Sequence, residues 1–490
     1  MKLPKLLRSL LGGSAPRASF DAAKARRRLS LWKADNASLR ALMASEGPLM
    51  LRRCRDVLQN NPYAAGAADV FSSNVVGSGV KPSSLLREAA LRDQIQRLWL
   101  QWTDECDADG LVDFYGLQAL AARALFEAGE IFIRLRARRP EDGFSVPLQL
   151  QALESEMLDH GFSQTLTNGN SIISGVEFDG VGRRVAYHFW REHPGDGASS
   201  ASSQRVRVPA QSVLHVMRVN RPGQVRGVPL IASAVVKLWL LDQYDDAELD
   251  RKKTAALFAG FITSPQPEDI LEPDGDAGAP AGTVTLEPGT MHALLPGEDV
   301  KFSDPAEVGG SYEAFQYRSL LAVFTAMGVP YTIGTGDLKR ANYSSLRGAL
   351  VEFRRRVGQL QHHTLVFQMC RPIWDAWFDA AVLSGALQIR DYAADPPAWR
   401  AVKWIAPKFE WVDPLKDRKA EAIAVQYGFK ARSDVIEEEG YDPEETDRRI
   451  KADSDRAQAL GLVISSNPVP LTEEQFDQSG QGDEGDDAAA

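Results

Sequence analysis

Residues 229–262 read PLIASAVVKLWLLDQYDDAELDRKKTAALFAGFI, and the plan of the molecule turns on them. The spacing predicts one long helix. It carries apolar residues at Val235, Trp239, Leu240 and Leu257, and Asp245-Asp246-Ala247-Glu248-Leu249-Asp250-Arg251-Lys252-Lys253 forms a dense charged run. Such a helix packs on its neighbours and still shows water a charged face. Thirty helical residues extend about 45 Å at about 1.5 Å per residue. The pattern then breaks over 263–300. Pro, Gly and acids dominate SPQPEDILEPDGDAGAPAG, and short β-like pieces follow at 283–286 and 292–295. Helical character returns at 312–327. A glycine-containing loop, 328–345, leads into a second long helical run from about 346, which Pro372 is expected to bend. Two long helices around a small acidic Pro/Gly insertion is an unusual plan for a globular enzyme.

Upstream the chain is α+β. A helical stretch with Leu39, Leu42, Leu49, Leu51 and Val57 ends at Asn60-Asn61-Pro62. Helices are predicted at 84–104 and 117–128. Strands are predicted at 131–136, 148–153, 175–178, 184–190 and 213–219. Downstream, 390–412 is rich in Trp and Pro. Residues 416–462 are charged and helical, with a turn at Gly440-Tyr441-Asp442-Pro443. The tail 466–490 is acidic, carries no base, and has the composition of a disordered segment.

A chain of 490 residues is too long for one simple core and implies two to four packed regions. No stretch approaches the roughly 20 uncharged apolar residues that span a bilayer. MKLPKLLRSLLGG resembles a secretion signal, but its apolar core is short and interrupted by Arg8. The three cysteines, Cys54, Cys106 and Cys370, are distant and odd in number, which argues for a reducing compartment. Residues 1–33 are basic: Lys2, Lys5, Arg8, Arg17, Lys24, Arg26, Arg27, Arg28 and Lys33 face only Asp21. They are either an arm that touches nucleic acid or another anionic partner, or a solvated terminus. The whole chain nevertheless carries a net charge of −10. A protein that wraps DNA neutralises phosphates with a basic excess, so global wrapping is disfavoured. Sliding of DNA past a wall that holds it weakly is compatible with that charge.

Signatures of catalysis fail. The chain has no G-x-x-x-x-G-K-[ST], no G-x-S-x-G and no H-E-x-x-H. Gly77-Ser78-Gly79 lacks the third glycine of a dinucleotide loop and reads as a turn. Glu105-Cys106-Asp107-Ala108-Asp109-Gly110 imitates the start of a calcium loop, but Gly116 stands where the bidentate glutamate belongs. It reads as a helix-ending turn with Asp caps. His362 and His363 point about 100° apart on a helix and chelate one ion poorly. Glu154, Glu156 and Asp159 suggest paired acid chemistry or, more simply, a solvated loop. No catalytic residue, metal or cofactor is assigned.

Several fragments, taken in order, carry a resemblance. Asn61-Pro62-Tyr63 precedes Asn74-Val75-Val76-Gly77-Ser78-Gly79. Trp99 stands near Cys106-Asp107-Ala108-Asp109-Gly110, followed by Gly129-Glu130-Ile131-Phe132 and Gly175-Val176-Glu177-Phe178-Asp179. Ala186-Tyr187, Val208-Pro209-Ala210 and His215 come next. Then follow Arg221-Pro222-Gly223-Gln224-Val225-Arg226-Gly227-Val228-Pro229, Asn342-Tyr343-Ser344-Ser345 with Arg347, and Val412-Asp413-Pro414. Over about residues 50–465 this series resembles the lambda-type family of phage portal proteins, the head–tail connectors of the portal vertex.

The resemblance implies a portal fold with an α/β wing, a helical stem, a small α/β clip and a helical crown. Its parts are a basic arm at 1–45, a wing at 46–228, a first stem helix at 229–262 and a clip at 263–311. A second stem helix at 312–327, a tunnel loop at 328–345 and a long wing helix at 346–388 follow. The wing return and crown occupy 389–465, and the acidic tail 466–490. It implies a homododecameric ring in the virion, assembled in the bacterial host cytoplasm, through which double-stranded DNA is packaged and ejected. Implied partners are the terminase large subunit, a head–tail adaptor, and the major capsid and scaffold proteins, with no membrane. Clip residues Glu268, Asp269, Glu272, Asp274 and Asp276 would meet partners. Tunnel-loop residues Asp337, Lys339, Arg340 and Asn342 would face the channel. Twelve helices spaced about 10 Å apart enclose a circle roughly 38 Å across, leaving a bore of roughly 28 Å, which admits a duplex. An acid-rich wall keeps phosphate centred, and Lys339 and Arg340 touch it briefly, unless they pair with Asp337 or a neighbouring protomer. The competing readings are another ring-forming head component, a metal-dependent DNA-processing enzyme, and a peripheral membrane protein acting through the basic arm.

Overall fold

The computed structural model describes residues 36–196, 204–256, 260–263, 299–302, 311–409 and 414–462. Helix α1 (Leu39–Asn60) starts at Ser38, whose hydroxyl accepts from the Ala41 amide at 3.2 Å. Asn61 ends it and at once begins α2 (Pro62–Val76), its side chain accepting from the Tyr63 and Ala64 amides at 3.0 and 3.1 Å. Pro62 at the first helical position loses nothing, since its missing N–H has no helical partner there. Strand β1 (Lys81–Ser84) leads to α3 (Ala89–Glu105) and α4 (Phe114–Glu127). Between these helices Asp107 accepts from the amides of Asp109, Leu111 and Val112. The imitation calcium loop is therefore a turn closed by its own aspartate.

Strands β2 (Glu130–Ala137), β3 (Leu148–Leu153), β4 (Gln164–Thr165), β5 (Ser171–Ile173), β6 (Val176–Phe178), β7 (Arg184–Trp190), β8 (Arg205–Pro209) and β9 (Val213–Met217) make two antiparallel sheets. One has the order β3-β2-β9, the other β4-β5-β6-β7-β8. Phe132 of β2 lies opposite Leu153 on one side and His215 on the other. With Leu158, Val176, Tyr187 and Phe189 it forms a small core between the sheets. The larger core joins α1–α4 to the C-terminal helices around Trp99, whose ring centroid lies 5.0 to 5.1 Å from those of Trp102, Phe114, Trp374 and Trp377.

The run 229–262 is not one helix. The Leu230 and Ile231 amides donate to the carbonyls of Leu125 and Phe126 at the end of α4, so the chain turns there. Helix α5 (Val235–Ala256) begins only afterwards. Gly260–Thr263 is strand β10, paired antiparallel with β11 (Asp299–Phe302). The β-like pieces expected at 283–286 and 292–295 lie outside the described residues. Helix α6 (Ser311–Met327) is followed by a short helix, α7 (Tyr331–Thr335), inside the expected loop. Helix α8 (Tyr343–Leu360) passes into a π-helical stretch, Gln361–Cys370, and then α9 (Arg371–Leu383). The π turn answers Pro372: Arg371 N–H bonds back five residues to Val366, widening the helix where proline removes a donor. Gln361 clamps the stretch by donating to the Val75 carbonyl at 2.7 Å, and Gln368 does so by accepting from the Met217 amide at 2.8 Å. The chain closes with α10 (Pro396–Trp399), β12 (Val402–Ile405) paired to β1, and helices α11 (Pro414–Gln426), α12 (Arg432–Glu438) and α13 (Pro443–Ala459).

Candidate nucleic-acid-facing segment

Two fragments almost a hundred residues apart set the base of α5. Gly129 and Gly227 cross so closely that a Cβ on Gly129 would lie 2.2 Å from the Val228 carbonyl carbon, and one on Gly227 2.2 Å from the Gly129 oxygen. Beside them Glu130, with 1 % of its side chain exposed, meets the equally buried Arg226 through Nε at 2.7 Å. The Gly227 amide donates to Glu130 at 2.6 Å, and the His215 ring nitrogen lies 2.9 Å away. Arg226 also donates to the carbonyls of Ser155 and Ser174. Burial alone would raise the Glu130 pKa, but the Arg226 charge and the His215 hydrogen bond hold it well below the carboxylate range. His215 is pushed down by burial.

From that base α5 rises against α6. Tyr244 stacks on Tyr312, with centroids 5.8 Å apart, and packs edge-on against Phe315 at 5.0 Å. Asp245 accepts from the Tyr312 hydroxyl at 3.0 Å and from Gln316. Asn61 ties α5 to the start of α2 through Asp242 at 3.0 Å.

The segment between α6 and α8 is tightly specified. Gly328, at φ +75°, ends α6, and Gly336, at φ +70°, ends α7. Gly334 sits under Phe324, where a Cβ would come within 2.1 Å of the ring. Asp337 accepts from the Tyr331 hydroxyl and the Lys339 amide, both at 3.1 Å. The Lys339 amide, the Tyr331 hydroxyl and the nearby cations lower its pKa. Arg340 lies 4.3 Å over the Tyr317 ring and 3.5 Å from Glu313. Lys339 is exposed and has no ion pair among the described residues. The Asn342 side chain accepts from the Ser345 amide at 2.8 Å, and the Ser345 hydroxyl accepts from the Asn342 amide at 3.0 Å. Asn342 therefore caps α8.

The four sequence-chosen residues thus share one exposed turn, but with different duties. Asp337 and Asn342 shape the backbone, Arg340 is held by α6, and Lys339 extends into solvent. Tyr317 and Glu313, which anchor Arg340, were not singled out in the sequence. Only a helical register linking α6 to the turn would have marked them. Glu268, Asp269, Glu272, Asp274 and Asp276 lie outside the described residues.

Other suspected clusters resolve into structure. Glu154, Glu156 and His193 bring possible ligand atoms within 4.8 Å of one another. Arg55 already bridges these acids, 3.1 Å from Glu156 and 3.2 Å from Glu154, and it also pairs with Glu127. The solvated loop expected for Glu154 and Glu156 is instead a partly buried ion cluster. His362 and His363 are exposed neighbours with perpendicular rings. All three cysteines are buried, and burial pushes the Cys54 thiol up to about 12. No helix among the described residues is long and apolar enough to cross a membrane.

A model of the phage portal proteins of the lambda family matches residues 25–361. The chain is 26% identical to a probable portal protein of Halomonas phage phiHAP-1, over 84% of this chain and 81% of that protein. It is 20% identical to portal protein B of Escherichia phage lambda, over 94% of each. Among solved structures, a chain from the neck of an empty GTA particle aligns with a TM-score of 0.47 and 16% identity, covering 81% of this chain and 94% of that one. A HK97 family phage portal protein from Corynebacterium diphtheriae aligns with a TM-score of 0.29 and 14% identity, covering 65% and 86%.

Proposed function

The chain belongs to the lambda family of phage portal proteins, and from that premise we propose that it is one of twelve copies ringing a DNA channel. The family is structural rather than enzymatic, and its members sit at the capsid vertex of the virion. In this reading double-stranded DNA enters during packaging and leaves during ejection. The terminase large subunit and later the head–tail adaptor dock on residues 263–311. The ring assembles in the host cytoplasm beside major capsid and scaffold proteins.

Family membership over most of the chain is the observation that carries this reading. The turn at 336–342 adds physical support. It is exposed, stands at the junction of α6 and α8, and presents Lys339 unpaired beside Arg340. A duplex carries one charge per about 1.7 Å of axis, so a wall of fixed cations would arrest it. At this turn one lysine per copy without an ion pair among the described residues, on a chain of net charge −10, gives weak and renewable contacts. Electron-microscope class averages of the purified chain test the proposal. The expected result is a closed ring of twelve with a hole of roughly 28 Å, the width left by helices about 10 Å apart. A compact monomer at all concentrations would overturn it.

A further inference from the structure

A groove of about 1070 Å³ opens between the foot of α5, the end of α6 and the π-helical stretch. Arg218, Arg356, Arg371, His362 and His363 line it, and no acid does. Arg218 and Arg371 have no ion pair among the described residues, while Arg356 reaches Glu352 at 3.3 Å. Phe367 stands on its rim with 62% exposure. The groove wall at Ala232 and Ser233 continues, three residues further on, into an outward strip of α5 at Val236, Trp239 and Leu240, each more than half exposed.

We propose that this groove and strip form the socket in which the next copy of the chain sits. The assignment rests on the ring reading above. A ring uses a heterologous interface, so each copy must present a patch unlike the one it receives. The occupant must bring acids, because the groove's charges are all of one sign. It must also bring apolar surface. Phosphate backbones satisfy arginine but leave tryptophan and phenylalanine wet, whereas a protein face covers both. A chain with 66 acidic against 56 basic residues has acids to offer its neighbour. The two half-exposed aromatics alone offer on the order of 200 Å² to such a contact, at about 150–250 Å² per aromatic side chain.

The test places the photo-crosslinking residue benzoylphenylalanine at position 367 of the full chain. The purified protein is irradiated with and without a duplex fragment. The expected outcome is a ladder of covalently joined copies, with the crosslinked peptides mapping to an acid-bearing face of the neighbour. A companion variant, Phe367→Asp, should raise the concentration for half-assembly at least tenfold. A ring that forms normally yet crosslinks at 367 only to DNA, only within one copy, or not at all overturns the socket and leaves the ring standing. Unmodified protein that never forms rings overturns both. Should Phe367→Asp fail to fold, the crosslinking result alone decides.

Discussion

The charges around Glu130 and those of the 336–342 turn mark two regions that the chain treats in opposite ways. At Glu130 the carboxylate, Arg226 and His215 are all sealed from water, and both partners lie within 2.9 Å of the carboxylate. At the turn, the cations stand in solvent and only Arg340 is partnered, by an aromatic face and a distant glutamate. Buried charge costs several kcal/mol per ion to desolvate, so it persists only where geometry returns that energy. Exposed charge carries no such demand and stays available to a passing polyanion. The first region therefore fixes where α5 begins, and the second is what the fold leaves free at the far end of α6.

The contrast breaks most sharply at Arg226. Arg226→Ala strands Glu130 in a dry site and should cost about 3–5 kcal/mol, read by chemical denaturation. Replacing both Glu130 and Arg226 with methionine should recover part of that loss. An equal loss in the double variant would mean that the charges do more than neutralise each other.

Acid should next weaken the buried carboxylates of the two sheets. Glu177 is held down to about 2, chiefly by its hydrogen bond from Arg207, although burial opposes the shift. Glu130 is lowered further still. Both folded-state pKa values lie below the ordinary 4.5, so the unfolded chain binds these protons first. The stability they contribute is complete above that value and drains away as pH falls through it toward the folded values. Glu177→Gln should flatten the fall in stability between about pH 4.5 and 2. A slope unchanged from the parent would remove Glu177 from the account.

Much of this was visible in the residues, and the misses have physical reasons. The strands at 131–136, 148–153, 175–178, 184–190 and 213–219, the Asn61-Pro62 break and the Asp107 turn follow from local chemistry, and the structure has them within a residue or two at each end, while β1, β4, β5, β8 and β12 go beyond those five segments. The start of α5 was not legible, because Leu230 and Ile231 give their amides to α4, a tertiary choice that no local pattern announces. The π turn before Pro372 was expected as a bend. The clamps from Val75 and Met217 let the helix widen instead. In the candidate site, Lys339 and Arg340 stood out by charge. The roles of Asn342 as a cap and Tyr317 as a platform needed the fold.

Asn342 offers a smaller effect. Asn342→Ala removes the cap of α8 and should cost about 1 kcal/mol. The loss should appear as faster amide exchange over residues 343–346, with the sheet junction unchanged. Exchange that also rises around Glu130 would show that the two regions are coupled.

The smallest effect on stability, and the sharpest on function, belongs to the two cations. Lys339→Ala removes a side chain with no ion pair and should change stability by less than about 0.5 kcal/mol, as surface substitutions usually do. Arg340→Ala gives up an exposed stacking contact worth about 0.5–1 kcal/mol, so the two variants should be distinguishable by denaturation. Their joint effect on DNA should run the other way, because Lys339, unlike Arg340, has no ion pair or aromatic platform among the described residues. Heads built with Lys339→Ala should package or retain DNA differently from the parent, and adding Arg340→Ala should deepen the change only modestly. An intact ring whose double variant fills and holds its genome like the parent would remove the turn from any contact with DNA. The duplex would then be kept centred by repulsion from acidic groups rather than by contact with cations, and Lys339 would be an ordinary solvated side chain.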